Sequence, residues 1–545
     1  MTRIQRSICI LLCVLLCATG CGNNQAAGGQ QCAACSVQML EFNKDLQRAV
    51  PDDKNRTTYE IFVYSFCDSN GDGIGDLNGI RSKLDYIQDL GFDALWLTPV
   101  HPSSTYHKYD VDDYCAIDPA FGTMADYEAL LKDCHERGIR VYLDLVLNHT
   151  SDDHEWFKAA ADYFRELPEG WDPDPSYCKY CDYYHFTRKS GDGYAPLEGT
   201  EWYYEARFWS GMPDLNLSSD AVRSEIRDIM AFWLGKGVDG FRLDAVTSYV
   251  TGDAEANTEF LRWLTETGRS IDPDCYFVGE AWTNRAEIAQ LYGSGIDSLF
   301  DFPFANNEGF IAKIINSTYQ ASDYVKGMLL AQEAYSAANP EYVDAPFYTN
   351  HDMGRSAGYY TSDEGPVTKM AYAMSLFMTG NSFVYYGEEI GMKGAGKDEN
   401  KRAPMYWSDG PADPDLCAGP PDMDDVKMKF PSLADQMRDD LSLWRWFKEV
   451  IRVRNAFPAI ARGTTEGADA VSDENVAAFY RRSETYGDLL IVMNLRGETQ
   501  EKDLTASAGG FNLAAVLNTN EEEITYADGK LVLPAYSIAV FKEEL

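Results

Sequence analysis

The chain has 545 residues, of which 45% are hydrophobic, and a formal net charge of −39. This length exceeds what a single core usually supports, so we expect one large domain with smaller attachments. The negative charge argues against nucleic acid or an anionic membrane surface as a binding partner, because its long-range field repels both. An uncharged ligand is compatible with it.

The first residues are typical of an export signal. Arg3 and Arg6 precede an apolar run, residues 8–18, that is too short to cross a bilayer as a helix. Small residues then precede Cys21, a pattern that resembles the lipobox of bacterial lipoproteins, in which the cysteine is acylated and becomes the mature N-terminus. The resemblance implies an exported, extracytoplasmic protein that is held at the cell membrane or outer membrane through its lipid alone. Ordinary signal cleavage beside an incidental cysteine is the alternative.

From Tyr59 onward, short β-rich apolar runs alternate with stretches of helical apolar spacing, which is typical of a parallel sheet with crossover helices. The predicted strands are Glu60–Phe66, Ala94–Thr98, Val141–Leu145, Gly240–Leu243, Tyr276–Gly279, Ser298–Asp301, Phe347–Thr349 and Phe383–Tyr386. Eight strand–helix units predict a closed (β/α)8 TIM barrel of the α/β class. An open doubly wound sheet is the alternative, but no glycine-rich dinucleotide loop follows any of these strands.

Two regions break this rhythm. The interval between His149 and Ser219 is too long for a plain loop and predicts an inserted subdomain after strand three. Beyond Arg454, period-two segments separated by turn residues indicate a C-terminal antiparallel β-sandwich domain. The predicted organisation is a lipoprotein signal peptide at 1–20, a tether at 21–55, the barrel at 56–148 and 219–460, the inserted domain at 149–218 and an all-β domain at 461–545.

Polar residues end four of the predicted strands, and in a barrel such residues meet at one face. These ends are Asp144-Leu-Val-Leu-Asn148-His149, Arg242-Leu-Asp244, Glu280-Ala-Trp282 and Asn350-His351-Asp352. Glycoside hydrolysis requires two carboxyl groups, because an acid must protonate the leaving oxygen while an anion receives the sugar carbon. A single carboxylate after a strand is more often a helix cap or an ion-pair partner, so the joint occurrence is what indicates catalysis.

The chain resembles the α-amylases of glycoside hydrolase family 13 from Tyr59 to its C-terminus. The matching motifs are Asp144-Leu-Val-Leu-Asn148-His149, Met212-Pro-Asp-Leu-Asn216, Gly240-Phe-Arg-Leu-Asp-Ala-Val246, Val278-Gly-Glu-Ala281 and Asn350-His351-Asp352. The resemblance implies a retaining hydrolase in which Asp244 is the nucleophile, Glu280 the general acid/base and Asp352 the group that stabilises the transition state. It also implies that Arg242 positions Asp244, and that His149 and His351 hydrogen-bond the sugar in the −1 subsite.

Residues 106–109 bear on specificity. Tyr109 can offer a flat apolar face to a sugar ring and His107 can hydrogen-bond a hydroxyl, although ordinary packing at a barrel rim is the alternative. In the family's exo-acting α-glucosidases an aspartate usually occupies the place of Tyr106. Tyr106 followed by His107 therefore favours endo-acting hydrolysis of α-1,4 bonds in starch, glycogen or maltooligosaccharides.

Other activities stay open. Arg402 matches an arginine that touches the terminal sugar in some relatives, which keeps an α-glucosidase as an alternative. A cyclodextrin- or pullulan-degrading enzyme and a 4-α-glucanotransferase share the same scaffold. A non-catalytic glycan-binding lipoprotein ranks last, because such proteins usually lack part of the carboxylate set. The expected partners are the α-glucan substrate and, through the lipid anchor only, the membrane; we expect no nucleic acid partner and a monomeric chain.

A loop after the first strand has the donors for calcium. They occur at every second residue: Asp68, Asn70, Asp72, the carbonyl of Ile74, and Asp76. Hard oxygen ligands in this pattern suit Ca²⁺, and family relatives bind calcium with the same spacing. The alternative is a glycine-rich turn with solvated carboxylates. Asn148 resembles a ligand of a second calcium site in many amylases.

The thirteen cysteines include two Cys-x-x-Cys pairs, Cys32/Cys35 and Cys178/Cys181. In an exported chain we expect local disulfides or free thiols at these positions. A four-thiolate zinc site is the alternative, and it would require two distant pairs to converge.

Overall fold

The computed structural model describes residues 37–410 and 413–544. The predicted signal peptide, the acylation site Cys21 and the pair Cys32/Cys35 lie outside these residues. Within the described ranges, none of the helices combines the length and the apolar composition needed to cross a membrane.

The strands are, in chain order, β1 Thr57–Ile61, β2 Ala94–Leu97, β3 Arg140–Leu145, β4 Phe186–Thr187, β5 Tyr194–Pro196, β6 Tyr203–Glu205, β7 Gly240–Leu243, β8 Tyr276–Gly279, β9 Ser298–Leu299, β10 Ser382–Tyr385, β11 Thr464–Gly467, β12 Val476–Arg482, β13 Leu489–Asn494, β14 Gln500–Asp503, β15 Phe511–Asn518, β16 Thr525–Ala527, β17 Lys530–Leu533 and β18 Ser537–Glu543. The α-helices are Gln38–Phe42, Leu77–Ser82, Leu84–Leu90, Met124–Glu136, Glu155–Glu166, Asp220–Lys236, Ala254–Ile271, Arg285–Tyr292, Phe310–Ile315, Ser322–Ala338, Pro366–Leu376, Asp398–Lys401, Leu433–Gln436, Leu443–Ala456 and Ala459–Arg462.

Seven of these strands form one parallel sheet in the order β10-β1-β2-β3-β7-β8-β9. The strands are buried on both faces, as continuous apolar runs in a parallel sheet require. Amphipathic helices cover the outside; the helix Asp220–Lys236, for example, buries Val222, Ile226 and Trp233 and ends at Gly237, whose φ of 101° only glycine adopts readily. The predicted barrel architecture is confirmed.

The eighth position of the barrel is not a regular strand. The segment around Pro346 makes only single parallel bridges, from Ala345 to Phe300 after β9 and from Phe347 to Phe383 in β10. Pro346 has no N–H to donate, so a continuous hydrogen-bonded ladder cannot form here. Its carbonyl still accepts from Phe383 N at 2.9 Å, and these bridges close the sheet between β9 and β10.

The segment between β3 and the helix Asp220–Lys236 contains a three-stranded antiparallel sheet in the order β4-β6-β5. Its small core is aromatic: the ring of Phe164, on the helix Glu155–Glu166, stacks on Phe186 at 3.9 Å and packs against Trp202 at 4.7 Å. Cys178 and Cys181 are free thiols here.

The C-terminal segment forms two antiparallel sheets, β11-β12-β13-β18-β15 and β14-β17-β16.

Residues 37–55, which the sequence assigned to the tether, differ from that expectation because they pack on the folded chain. Met39 is buried, the buried Asn43 donates to Val516 O at 2.8 Å, and Ala49 N bonds to Asn455 O.

Candidate active site

A cavity of about 400 Å³ opens at the carboxyl ends of the barrel strands, where Asp244 follows β7 and Glu280 follows β8. The predicted residues that line it are His107, Tyr109, His149, Asp244, Glu280, Asp352 and Arg402. Tyr106, Arg242 and His351 stand behind these residues and contact them. The structure therefore gathers the predicted catalytic and substrate-binding residues around one cavity.

Arg242, on β7, joins the two predicted catalytic carboxylates. It is fully buried, and its Nη1 donates to Asp244 Oδ1 at 2.7 Å and to Asp144 Oδ1 at 3.0 Å. Its Nη2 lies 3.0 Å from Glu280 Oε2 but lacks hydrogen-bond geometry, so that contact is a charge interaction. One guanidinium thus fixes Asp244 by hydrogen bonding, and its charge alone acts on Glu280, where it lowers the pKa against the effect of burial.

Asp144, on β3, is the second buried partner of Arg242, and sequence reasoning assigned it no role. It accepts hydrogen bonds from Trp96 Nε1 at 3.1 Å and from the Tyr109 hydroxyl at 3.0 Å. Burial raises its pKa to about 6 against the opposing charge of Arg242. The register of the β3–β7 pair reveals this role, because it places Asp144 directly opposite Arg242.

Opposing features act on the protonation of Glu280: burial and two neighbouring carboxylates favour the protonated form, and the charge of Arg242 and a hydrogen bond from Ala245 N favour the ionised form. It is 7% exposed, and burial, reinforced by the negative charges of Asp244 and Asp352, raises its pKa to about 7. Its Oε2 accepts from Ala245 N at 3.0 Å. Ala245 has a φ of 45°, a left-handed conformation that a non-glycine residue rarely adopts and that is often found at functional sites.

Asp352 is held between two cations. Arg402 Nη2 donates to its Oδ1 at 2.7 Å, and His351 Nε2 lies 3.1 Å from its Oδ2. Burial would raise the pKa of Asp352, but the charges of His351 and Arg402 outweigh burial and hold it below its ordinary value. Asp352 is therefore an anion, and about a third of its side chain faces the cavity.

His351 does not line the cavity. It is fully buried; its Nδ1 donates to Glu60 Oε1 at 2.7 Å, and its Nε2 donates to the Tyr109 hydroxyl at 2.8 Å. Burial lowers the pKa of His351, yet Asp352 and Glu60 raise it to about 9 overall. Glu60, on β1, is a second member of the site that sequence reasoning missed; a glutamate inside a buried strand was the available signal.

The remaining predicted sugar-binding residues form the cavity wall around Tyr109. His149 Nε2 donates to Tyr109 O at 3.1 Å, and the amide of Tyr109 donates to His107 Nδ1 at 3.2 Å. Burial lowers the pKa of His107 to about 4, so its imidazole is neutral. Arg402 Nη1 donates to the Tyr106 hydroxyl at 2.7 Å.

Two aromatic side chains at the cavity were not assigned from the sequence. Phe208, from the inserted segment, and Trp282, two residues beyond Glu280, both line the cavity and are 54% and 52% exposed. Trp282 stacks on Phe302 with a centroid distance of 4.9 Å, which fixes its ring. Flat, exposed rings beside a carboxylate pair are suited to stacking against sugar faces.

The predicted calcium loop is an ordered turn next to β1. Asp68 accepts from the backbone N–H groups of Gly71 and Gly73, both at 2.7 Å, and Asp76 caps the helix Leu77–Ser82 by accepting from Gly79 N at 2.8 Å. The donor set of carboxylate, amide and carbonyl oxygens fits Ca²⁺ chemically. Over the described ranges no three His, Cys, Asp or Glu side chains alone come close enough to hold a metal. The Asn70 amide and the Ile74 carbonyl would have to complete the site.

Comparisons with known proteins agree with this geometry. The family model "Alpha amylase, catalytic domain" matches residues 60–463, and "Alpha-amylase SusG C-terminal domain" matches residues 476–540. Alpha-amylase 3 of Dictyoglomus thermophilum is 33% identical over 90% of this chain and 93% of its own length. Oligo-1,6-glucosidase of Heyndrickxia coagulans is 30% identical over 83% of this chain and 93% of its own.

Among solved structures, Eubacterium rectale Amy13B superposes with a TM-score of 0.92 and 46% identity, covering 93% of this chain and 99% of that one. The matched catalytic model spans the barrel, its inserted segment and every strand end that contributes to the cavity. The chain therefore belongs to the α-amylase family, glycoside hydrolase family 13, and is a glycoside hydrolase that acts on α-glucans.

Proposed function

We propose that the protein is a retaining, endo-acting α-amylase that hydrolyses α-1,4-glucosidic bonds in starch, glycogen or maltooligosaccharides. The observation that carries this proposal is the contact of one buried guanidinium, Arg242, with both Asp244 and Glu280. The two catalytic carboxyl groups are about 5 to 5.5 Å apart in retaining enzymes and roughly 6.5 to 9.5 Å apart in inverting ones. Contact of both carboxyl groups with one guanidinium fits the shorter separation better.

The proposed chemistry follows from the protonation states. Glu280 gives its proton to the glycosidic oxygen as the bond from that oxygen to C1 breaks, and Asp244 Oδ attacks C1 to form a covalent glucosyl ester. Glu280, now ionised, takes a proton from water, whose oxygen attacks C1 and releases Asp244. Asp352, an anion held by His351 and Arg402, stabilises the positive charge on the sugar ring in both steps.

Internal cleavage is supported by the residues around the cavity. Arg402 bonds to the hydroxyl of Tyr106, where an aspartate is usual in exo-acting relatives. Phe208 and Trp282 place exposed rings at the cavity, where they can stack on further sugars of a longer chain. Additional sugar-binding surface beyond the cleaved bond is what a polymer-cleaving enzyme needs.

An α-glucosidase is the second candidate, because oligo-1,6-glucosidase is among the similar proteins and Arg402 touches Asp352. Chromatographic product profiles on amylose, pullulan and maltose separate the candidates. We expect a mixture of maltooligosaccharides from amylose at early times and little action on maltose. Glucose as the sole first product would contradict endo action.

The mechanism is tested separately. Asp244→Asn and Glu280→Gln should each lower kcat by several orders of magnitude while leaving the thermal unfolding temperature near that of the parent. NMR of the first product should show the α-anomer. A β-anomer, or a near-native rate in either variant, would contradict the assigned roles.

We also propose a structural calcium ion in the loop 68–76 and export with an acyl anchor at Cys21. The described chain begins at Val37 with a helix packed on the C-terminal domain, where Gln38 Nε2 donates to Ile524 O at 2.8 Å. The chain is expected to act as a monomer.

A further inference from the structure

Two aromatic side chains on one loop of the inserted segment are the most exposed large hydrophobic residues in the described part of the chain. Trp171 is 64% exposed and Tyr177 is 84% exposed. Neither lines the catalytic cavity. Isolated surface aromatics are common, but here one short loop exposes two large aromatic side chains within seven residues.

The backbone that carries Trp171 is held in place by Arg188. The guanidinium donates through Nε to Glu201 Oε1 at 3.0 Å, through Nη1 to Asp172 Oδ1 at 3.0 Å and through Nη2 to the carbonyl of Trp171. It also lies over the ring of the buried Trp202 at 4.2 Å. This network holds the backbone at Trp171 in place, while the side chain is exposed to solvent.

The rest of the loop is anchored in the same way. Gly170 N donates to Glu201 Oε1 at 3.1 Å, and Asp174 N donates to the Tyr163 hydroxyl at 2.8 Å. A turn then brings Tyr177 N to Asp174 O at 3.0 Å. Because the loop is already ordered, binding at its surface would not have to offset the entropy of ordering it.

We propose that this loop, defined by Trp171 and Tyr177, is a second binding site for α-glucan, separate from the catalytic cavity. The identity of the ligand rests on the proposed function. A sugar ring has an apolar face that stacks on an aromatic ring, and its hydroxyls require donors and acceptors at the edge. Asp172, which is 89% exposed, and Arg188 supply an acceptor and donors beside Trp171.

The electrostatics favour a neutral ligand here. Nucleic acid bases also stack on aromatic rings, but a chain with a net charge of −39 repels a polyanion. A neutral polysaccharide meets no such repulsion. A glucan polymer bound at the loop would also raise the local concentration of glucan at the cavity. An oligosaccharide that is too short to reach both the loop and the cavity cannot show this effect.

The binding test uses native gels that contain amylopectin, with every protein carrying Glu280→Gln so that the gel is not digested. Against that background, Trp171→Ala together with Tyr177→Ala should weaken retardation about three- to tenfold in apparent affinity. Tyr319→Ala, at a partly exposed tyrosine outside the loop, is the matched control and should migrate like the background protein. Equal retardation of the double variant and the background protein would overturn the proposal.

A kinetic test in the active chain separates this site from the catalytic one. The double variant should raise KM for amylopectin several-fold and leave kcat/KM for a chromogenic maltotrioside unchanged. An equal loss on both substrates would overturn the proposal, because it would mean damage to the cavity. Loop-dependent retardation in a chain that cleaves no α-glucan would contradict the proposed function and still support the binding site.

Discussion

At the scale of single residues, the chemistry depends on Glu280 being protonated when substrate binds. Its pKa of about 7 is raised by burial and by the charges of Asp244 and Asp352, so the acid form is lost as pH rises through 7. We expect the basic limb of kcat/KM for a maltooligosaccharide near pH 7. A basic limb near pH 4 to 5, with unfolding temperature constant over that range, would contradict this assignment.

Asp144 illustrates a residue whose importance lies in neutralising a buried charge. It contacts no solvent and balances Arg242 together with Asp244. Asp144→Ala should lower the free energy of unfolding by about 3 to 5 kcal/mol, because it leaves buried positive charge incompletely paired. Urea unfolding measures this change.

The control for Asp144 is an exposed ion pair. Glu136 pairs with Lys132 on the helix Met124–Glu136, and both side chains are more than half exposed. Glu136→Ala should change the free energy of unfolding by less than about 0.5 kcal/mol. Equal destabilisation by the two variants would show that the Asp144 contact has no special energetic role.

The sequence predicted the site residues that lie at strand ends. It did not predict the buried residues that contact other site residues instead of the cavity. Asp244 and Glu280 follow apolar runs, and motif and position agree on them. Asp144 required knowledge of the strand register, because its partner Arg242 lies on another strand. The partner of Glu60 is His351, which lies on a turn 291 residues away. Periodicity gives the face of a strand, whereas register emerges only when the whole sheet closes.

At the scale of elements, some strand bounds were predictable from the sequence and others depended on the packing of the sheet. β7 and β8 match their predicted bounds, Gly240–Leu243 and Tyr276–Gly279. The predicted strand Glu60–Phe66 is instead β1, Thr57–Ile61, since the polar Thr57 and Thr58 are also buried in the sheet. The predicted strand Phe347–Thr349 became isolated bridges beside Pro346. A proline one residue before a predicted strand indicates that a regular hydrogen-bonded strand is unfavourable there.

The calcium loop provides a prediction at this scale. A bound ion would stabilise the folded chain by about 2.7 kcal/mol at a concentration 100 times its Kd, so EDTA should lower the unfolding temperature and added Ca²⁺ should restore it. Asp72→Asn, at an exposed position of the loop, should remove most of the EDTA effect. Calorimetry with and without EDTA measures both.

The matched control is Asp85→Asn, which changes an exposed carboxylate on a neighbouring helix and should leave the EDTA effect intact. An unfolding temperature that is indifferent to EDTA in the parent chain would exclude a structural calcium ion. The loop would then be a turn held by its own hydrogen bonds, with Asp68 accepting from Gly71 and Gly73.

At the scale of the whole molecule, length and composition predicted the domain organisation only in outline. The length predicted a large domain with attachments, and the C-terminal sheets are joined to the barrel by the fully buried Arg481, which donates to Phe377 O at 2.7 Å. Arg481 lies on β12 of the C-terminal domain, and Phe377 directly follows the barrel helix Pro366–Leu376, 104 residues earlier. Such a contact has no periodic signature in the sequence. Arrangement beyond the element therefore required the structure.

The net charge of −39 gives the proposed lipid anchor a physical role. An acidic protein is repelled by an anionic membrane surface, so stable attachment would have to come from the acyl chains at Cys21. Cys21→Ser should move the protein from the detergent phase to the aqueous phase in Triton X-114 partition and abolish labelling by a radioactive fatty acid. Cys178→Ser, at a thiol within the folded chain, is the control and should partition like the parent. Continued fatty-acid labelling of the Cys21→Ser protein would exclude acylation at this residue.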